Sequence, residues 1–223
     1  MNKVWAIIKK DIITELRTKE LFTSMLLFAL LIIVVFNFAF GFSVEILNLA
    51  APAMLWIAFT FAGILGLSRS FALEKEGNAI IGMLLTPTDR SLIYAGKMIS
   101  NTIFVFIVGI LTVLMFILFF NYSFLPTLIP LIPIMLLGSI GFVSVGTLFS
   151  AMAINTKLRE VLLPILLFPI IIPVIVSAVK LSTQVLDGNS VFAASSSLKL
   201  LASFDIIFVT ACAVTFEYVI DES

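Results

Sequence analysis

"LFTSMLLFALLIIVVFNFAFGFSV" fills residues 21–44 and contains no Asp, Glu, Lys or Arg. Wound as an α-helix it extends about 36 Å, at about 1.5 Å per residue. The hydrocarbon core of a bilayer is about 30 Å thick. So long an uncharged run reads as a membrane-spanning helix. It is too long for a cleaved signal peptide, follows a charged 20-residue segment, and has no A-x-A-like site near it.

The rest of the chain repeats this pattern. The 223 residues are 61% hydrophobic and 12% charged, with mean hydropathy +1.24. A soluble domain is roughly 45–50% apolar and about 25% charged. Further apolar runs predict spans at about 49–70, from near 87 to 120, 124–154, 160–180 and 198–219. Before the first span, Trp5, Ile8, Ile12 and Leu16 recur at helical spacing, with Lys3, Lys9, Lys10 and Arg17 as a cationic side. Such a helix lies on the membrane surface. The expected fold is all-α and polytopic, with six transmembrane helices plus an N-terminal amphipathic interfacial helix, in one domain over 1–223.

Lys and Arg placement sets the orientation. With the N-terminus in the cytosol, the cytosolic segments hold Lys3, Lys9, Lys10, Arg17 and Lys19, then Arg69, Lys75, Arg90 and Lys97, then Lys157 and Arg159. Only Lys180 and Lys199 of the 13 basic residues fall on the other side. Both termini are therefore expected in the cytosol. The longest outer loop is expected at about 181–197.

One cytosolic segment, "LEKEGNAIIGMLLTPTDR" (73–90), gathers charge, Gly and Pro between two spans. Its grammar predicts that the second span stays helical to Glu76 and ends at Gly77 in a left-handed cap. Thr86, Pro87 and Asp89 read as the start of the next helix. That helix is too long for the bilayer, so the segment is expected as the tip of a helical hairpin. Glu74 and Glu76 there would offer carboxylates to a partner. In the fourth span Gly138, Gly141, Gly146 and Ser150 suit close helix contacts. Pro126, Pro130 and Pro133 open that span, and Pro164, Pro169 and Pro173 punctuate the fifth. Their freed carbonyls call for packing neighbours or a cavity. Phe36, Phe38, Phe40 and Phe42 read as facing lipid or neighbouring helices.

Several chemistries are excluded. Zero net charge gives no footing for nucleic acid as a partner. There is no His, and Cys212 is the single Cys. The usual general base, the commonest haem ligand and Cys/His metal spacings are all missing. "GNAIIGML" (77–84) has Gly77 and Gly82 at phosphate-loop spacing, but Met83 and Leu84 stand where Lys and Ser/Thr would hold phosphate and magnesium. Any ATP-driven step would need a separate chain. No catalytic set, metal site or bound cofactor is expected. Asp205 is the one carboxylate well inside a predicted span, where burial costs about 2.5–3.5 kcal/mol on insertion scales. An ion pair with Lys180 or Lys199, or exposure at the outer leaflet, is the plainer reading. A substrate or proton role is the other.

"LAAPAMLWIAFTFAGILGLSRSFALEKEGNAIIGMLLTPTDRSLIYAGK" (49–97) resembles the membrane permease B subunit of the cytochrome c maturation system, the haem exporter protein B (CcmB) family. The matching features are Ala51-Pro52, Leu55-Trp56, Phe71, Glu74, Glu76 and Gly77, Leu84-Leu85, Pro87 and Gly96-Lys97. "GTLFSAMAINTKLREVLLPILLFPIIIPVIVSAV" (146–179) is a second match, through its Asn155-Thr156-Lys157 turn and proline-studded span. Glu20-Leu21-Phe22-Thr23 departs from the Asn-Pro that often enters the first span in that family. The resemblance implies an ABC-2-type permease domain in the inner membrane, not itself an enzyme, and a homodimer within its complex. It implies an ATPase subunit resembling CcmA that hydrolyses ATP, a haem-handling subunit resembling CcmC, and a periplasmic haem chaperone resembling CcmE. Haem would be the substrate handled by the complex. The residues implied in gripping the ATPase are Arg69, Glu74, Glu76, Gly77, Leu84, Leu85, Pro87 and Lys97. An ABC-2 exporter of a lipid, glycan or drug is the alternative.

Overall fold

The computed structural model describes residues 3–40, 44–77, 82, 89–120, 128–154, 156, 158–191 and 195–221. Among them the chain is helical, without strands. The helices are α1 (Lys3–Thr18), α2 (Glu20–Phe40), α3 (Val44–Glu76), α4 (Arg90–Phe120), α5 (Leu128–Ala153), α6 (Arg159–Leu186) and α7 (Ser195–Asp221). Six of them, α2 to α7, are long and apolar enough to cross a membrane. The protein is a multi-pass membrane protein, as its apolar runs predict. The expected surface helix is α1.

Most side chains of α2 face away from the protein. Leu27, Leu31, Val35 and Phe38 are exposed, and only one edge, with Leu21, Met25, Ala29 and Ile33, is buried. An apolar exposed face of this kind belongs in lipid. α5 is the opposite case. It packs against α3, α4, α6 and α7, and its small residues explain how four neighbours fit. A Cβ at Gly138 would collide with the Trp56 ring of α3. One at Gly146 would collide with Leu67, and one at Gly141 would lie 2.5 Å from Asp205 Oδ1. The expected close contacts at these glycines are present. Trp56 is fully buried, and its indole donates to Ser182 Oγ of α6 at 2.9 Å.

Two boundaries differ from expectation. α6 continues to Leu186, with Pro164, Pro169 and Pro173 inside one unbroken helix. The outer loop is thus shorter than expected: Asp187 caps α6, Gly188 adopts φ +80°, and α7 begins at Ser195. Gly77 does end α3, but not in a left-handed cap. Gly188 is the only described glycine with positive φ, and the Gly77 N–H simply adds one more helical bond to Leu73 O at 3.0 Å. The expected start at Thr86-Pro87 lies outside the described residues. From Asp89 onward, its carbonyl accepts the Leu92 and Ile93 N–H groups at 3.0 and 3.3 Å.

The elbow between α1 and α2 is built from one acid. Glu15 is buried, and its carboxylate accepts the orphan N–H groups of Leu21 (3.3 Å) and Phe22 (2.8 Å) at the start of α2. Between the helices Lys19 takes φ +57°, a left-handed conformation that costs a non-glycine residue roughly 1–2 kcal/mol. The cap offsets that cost, because helix N-termini leave N–H groups needing acceptors.

Candidate functional site

α1, the start of α2, the end of α3 and the start of α4 meet at one end of the bundle. Here the apolar pattern of α1 divides its duties. Trp5, Ile13 and Leu16 stay exposed, as suits a helix lying at a bilayer surface. Ile7, Asp11 and Glu15, spaced four apart on the opposite side, turn into the protein. Ile7 packs so closely on α4 that a Cβ at Gly96 would be 2.9 Å from it.

Beside that contact lies a buried ion cluster. Lys97 of α4 is 2% exposed. Its Nζ donates to Asp11 Oδ2 of α1 at 3.0 Å and to Glu74 Oε1 of α3 at 2.7 Å. Lys10 reaches the same two acids, pairing with Glu74 and with Asp11 Oδ1 at 3.2 Å. The Phe71 ring lies 5.7 Å from the Lys97 ammonium, a cation–π contact. Partial burial pulls the Lys10 ammonium down, but the charges of Glu74 and then Asp11 outweigh it and hold its pKa above the usual 10.5. Glu74 Oε2 is buried with no hydrogen-bond partner among the described residues.

Deeper in the bundle the polar contacts continue through neutral groups. Ser70 Oγ donates to Asn101 Oδ1 at 2.9 Å, and Asn101 Nδ2 reaches Thr147 Oγ1 at 3.5 Å, linking α3, α4 and α5. Lys75 donates to the carbonyl of Ile154 at 2.8 Å, so the ends of α3 and α5 are tied together. Arg69 pairs with Glu20 at 2.7 Å, fixing α3 to the start of α2. The two segments singled out in the sequence, 49–97 and 146–179, therefore meet at this end.

The sequence-predicted residues separate as follows. Glu74 and Lys97 join one cluster, Arg69 lies nearby in its own ion pair, and Gly77 is exposed at the end of α3. Glu74 does not present its carboxylate outward: it is 6% exposed and turned to two lysines of its own chain. Glu76 is the last residue of α3, and its side chain is outside the described residues. Leu84, Leu85 and Pro87 are also outside them. Asp205 is remote from this set, on α7 against Gly141 of α5. The expected pairing with Lys180 or Lys199 is absent. Asp205 is 6% exposed, and neither oxygen has a hydrogen-bond partner among the described residues. Asp11, Glu15 and Lys10 were not among the predicted residues. The signal available for them was the four-residue spacing Ile7–Asp11–Glu15, which puts two acids on an apolar side.

A family model, that of the CcmB protein, matches residues 2–220. The chain belongs to the CcmB family. Its relatives include a haem exporter protein B of Bradyrhizobium diazoefficiens, 26% identical over 198 residues that cover 89% of each chain. Another, from Pseudomonas aeruginosa, is 28% identical over 191 residues, covering 83% of this chain and 84% of the relative. A third, from Rhodobacter capsulatus, is 24% identical over 186 residues, covering 83% and 85%. The CcmB match takes in α1 and all six spanning helices, and with them every residue of the ion cluster.

Proposed function

We propose that this CcmB-family chain is the permease subunit of an ABC transporter complex for cytochrome c biogenesis. The complex exports or delivers haem to a periplasmic haem chaperone, and a separate ATPase subunit drives it. The observation that carries this reading is the family match over residues 2–220, beside curated relatives named haem exporter protein B. The placement of Lys and Arg supports an inner-membrane orientation with both termini in the cytosol. The α3–α4 end then faces the ATPase.

The ion cluster gives this end a mechanical property. Asp11, Glu74 and Lys97 sit on three different helices, so a force on the segment between α3 and α4 is carried into α1, α3 and α4 together. Lys75 passes it on to the end of α5. Leu84, Leu85, Pro87 and Gly77 form the grip itself, while Glu74 and Lys97 stiffen its base. Arg69 acts through Glu20 on the start of α2. The complex works as a homodimer of this chain, with a haem-handling subunit beside it. Haem is its substrate, and the chain itself binds neither haem nor ATP.

The test is co-purification of the ATPase subunit with permease variants, beside haem staining of cytochrome c. Gly77→Leu and the Leu84→Ser/Leu85→Ser double variant are expected to insert normally, lose the ATPase and lose haem-stained cytochrome c. Normal co-purification with normal cytochrome c in both variants would refute the coupling role.

A further inference from the structure

The elbow between α1 and α2 holds an open recess of about 540 Å³, lined by Thr18, Lys19, Glu20, Thr23, Ser24 and Arg69. Two of these residues are positive and one is negative. Arg69 and Glu20 pair with each other at 2.7 Å, while Lys19 has no ion-pair partner among the described residues. The recess therefore carries one positive charge in excess. Its hydroxyls are set to accept. Those of Thr18, Thr23 and Ser24 already donate to the carbonyls of Thr14, Lys19 and Glu20, at 3.2, 2.7 and 2.7 Å. What they offer a ligand is oxygen lone pairs.

A second feature continues from the recess. On α2, Ser24 is followed every four residues by Phe28, Ile32 and Phe36. On α3, which runs the other way, Arg69 is followed by Leu65, Phe61 and Ile57, all three exposed. Residues four apart share a helix face. Between the two rows lies an apolar groove of about 250 Å³, with Phe28, Ile32 and Phe36 on one wall and Ile57 and Phe61 on the other. From Arg69 to Ile57 the row is about 18 Å long, at about 1.5 Å per residue. That is slightly more than half of a hydrocarbon core about 30 Å thick. The exposed Trp5, Ile13 and Leu16 put α1 at the membrane surface, and the elbow with it. A cationic recess at head-group level thus leads into an apolar groove one leaflet deep.

The pair of features narrows the occupant. A free phosphate would fill the recess and leave the groove empty. A zwitterionic lipid would leave the excess charge of Lys19 unanswered. An anionic glycerophospholipid answers all of it. Its phosphate meets Lys19 beside Arg69, the hydroxyls of its head group donate to Thr18, Thr23 and Ser24, and an acyl chain follows the aromatic groove.

We propose that the α2–α3 cleft binds phosphatidylglycerol, head group in the elbow recess and acyl chain between the two rows. The site does not depend on the coupling role given above. With the N-terminus in the cytosol, its lipid belongs to the cytosolic leaflet.

The test uses the full chain, purified in detergent and stripped of lipid. It is titrated with dioleoyl phosphatidylglycerol, dioleoyl phosphatidylethanolamine or glycerol phosphate. Native mass spectrometry counts the bound lipid, and the thermal midpoint is followed in parallel. Phosphatidylglycerol is expected to be retained and to raise the midpoint, and the other two to do neither. Lys19→Asn removes the charge and keeps a residue that tolerates the left-handed backbone there. It is expected to weaken phosphatidylglycerol binding about fivefold, the scale of one lysine at an anionic membrane surface. Val35→Trp fills the groove from an exposed position and leaves the recess intact, and is expected to lose the retained lipid. Equal retention of phosphatidylethanolamine would show ordinary surrounding lipid and overturn the site. Glycerol phosphate stabilising the chain as well as the lipid does would leave the groove without a part and overturn it too. So would phosphatidylglycerol binding that is unchanged in either variant.

Discussion

Lys97→Met is the sharpest perturbation of the ion cluster. The substitution keeps the length of the side chain and removes the ammonium that sits 3.0 Å from Asp11 and 2.7 Å from Glu74. The two acids are then left with Lys10, whose side chain is 39% exposed and holds them less firmly. Deleting one partner of a buried ion pair costs about 3–5 kcal/mol, because the other charge stays buried. For a chain of this size about 1 kcal/mol moves the unfolding midpoint by about 2–4 °C, so Lys97→Met should melt roughly 6–20 °C lower. The assay is the thermal midpoint of the detergent-solubilised protein, followed by loss of the monodisperse peak in size-exclusion chromatography. Adding Asp11→Leu and Glu74→Leu to Lys97→Met should recover most of the loss, since apolar replacement of a whole buried set is often neutral or stabilising. A Lys97→Met protein that melts with the wild type would refute the energetic argument. So would a triple variant that melts below the single one.

Other outcomes follow from the same structure. The raised pKa of Lys10 means that its pairing contributes fully at neutral pH and is lost as pH rises through its folded value, above 10.5. Thermal midpoints of Lys10→Met and wild type should therefore converge in that alkaline range and differ below it; parallel curves throughout would contradict the pairing. Asp205→Asn replaces, at nearly constant volume, a buried carboxyl with no hydrogen-bond partner among the described residues, and should raise the thermal midpoint by a few degrees, about 1 kcal/mol or more. A lower midpoint would show that the carboxylate is held by a partner in the bilayer. In a Cys212→Ser background, a cysteine at Lys9 should react with impermeant thiol reagents only from the cytosol and one at Asn189 only from outside. The reverse labelling would turn the molecule over and separate the α3–α4 end from the ATPase.

The bundle was legible because its signal is local. Each span is an apolar run that declares itself without reference to any other segment, and Gly138, Gly141 and Gly146 announce close packing by their size alone. The ion cluster was not, because its members come together across 86 and 23 residues of chain. No periodicity connects Asp11 to Lys97. The charges of α1 read as a solvated side, and only the fold shows that two of its acids face inward. Glu74 stands out in the 73–90 segment but reads as pointing outward, since a charge in a loop-like segment is ordinarily exposed. Asp205 was marked by its position in a span. That it has no hydrogen-bond partner among the described residues is a property of its surroundings, and a sequence does not carry those.

The cluster also dates itself within the life of the protein. Its members lie at positions 11, 74 and 97, so it can close only after synthesis has passed Lys97 and the third span has entered the bilayer. Until then α1 is held by Glu15 on the start of α2 and, once Glu74 is made, by the Lys10–Glu74 pair. Lys97 is the last component made, and its arrival is the earliest moment at which the three-helix set can close. A chain released before that point would have two spans and an Asp11 with no buried lysine to meet it.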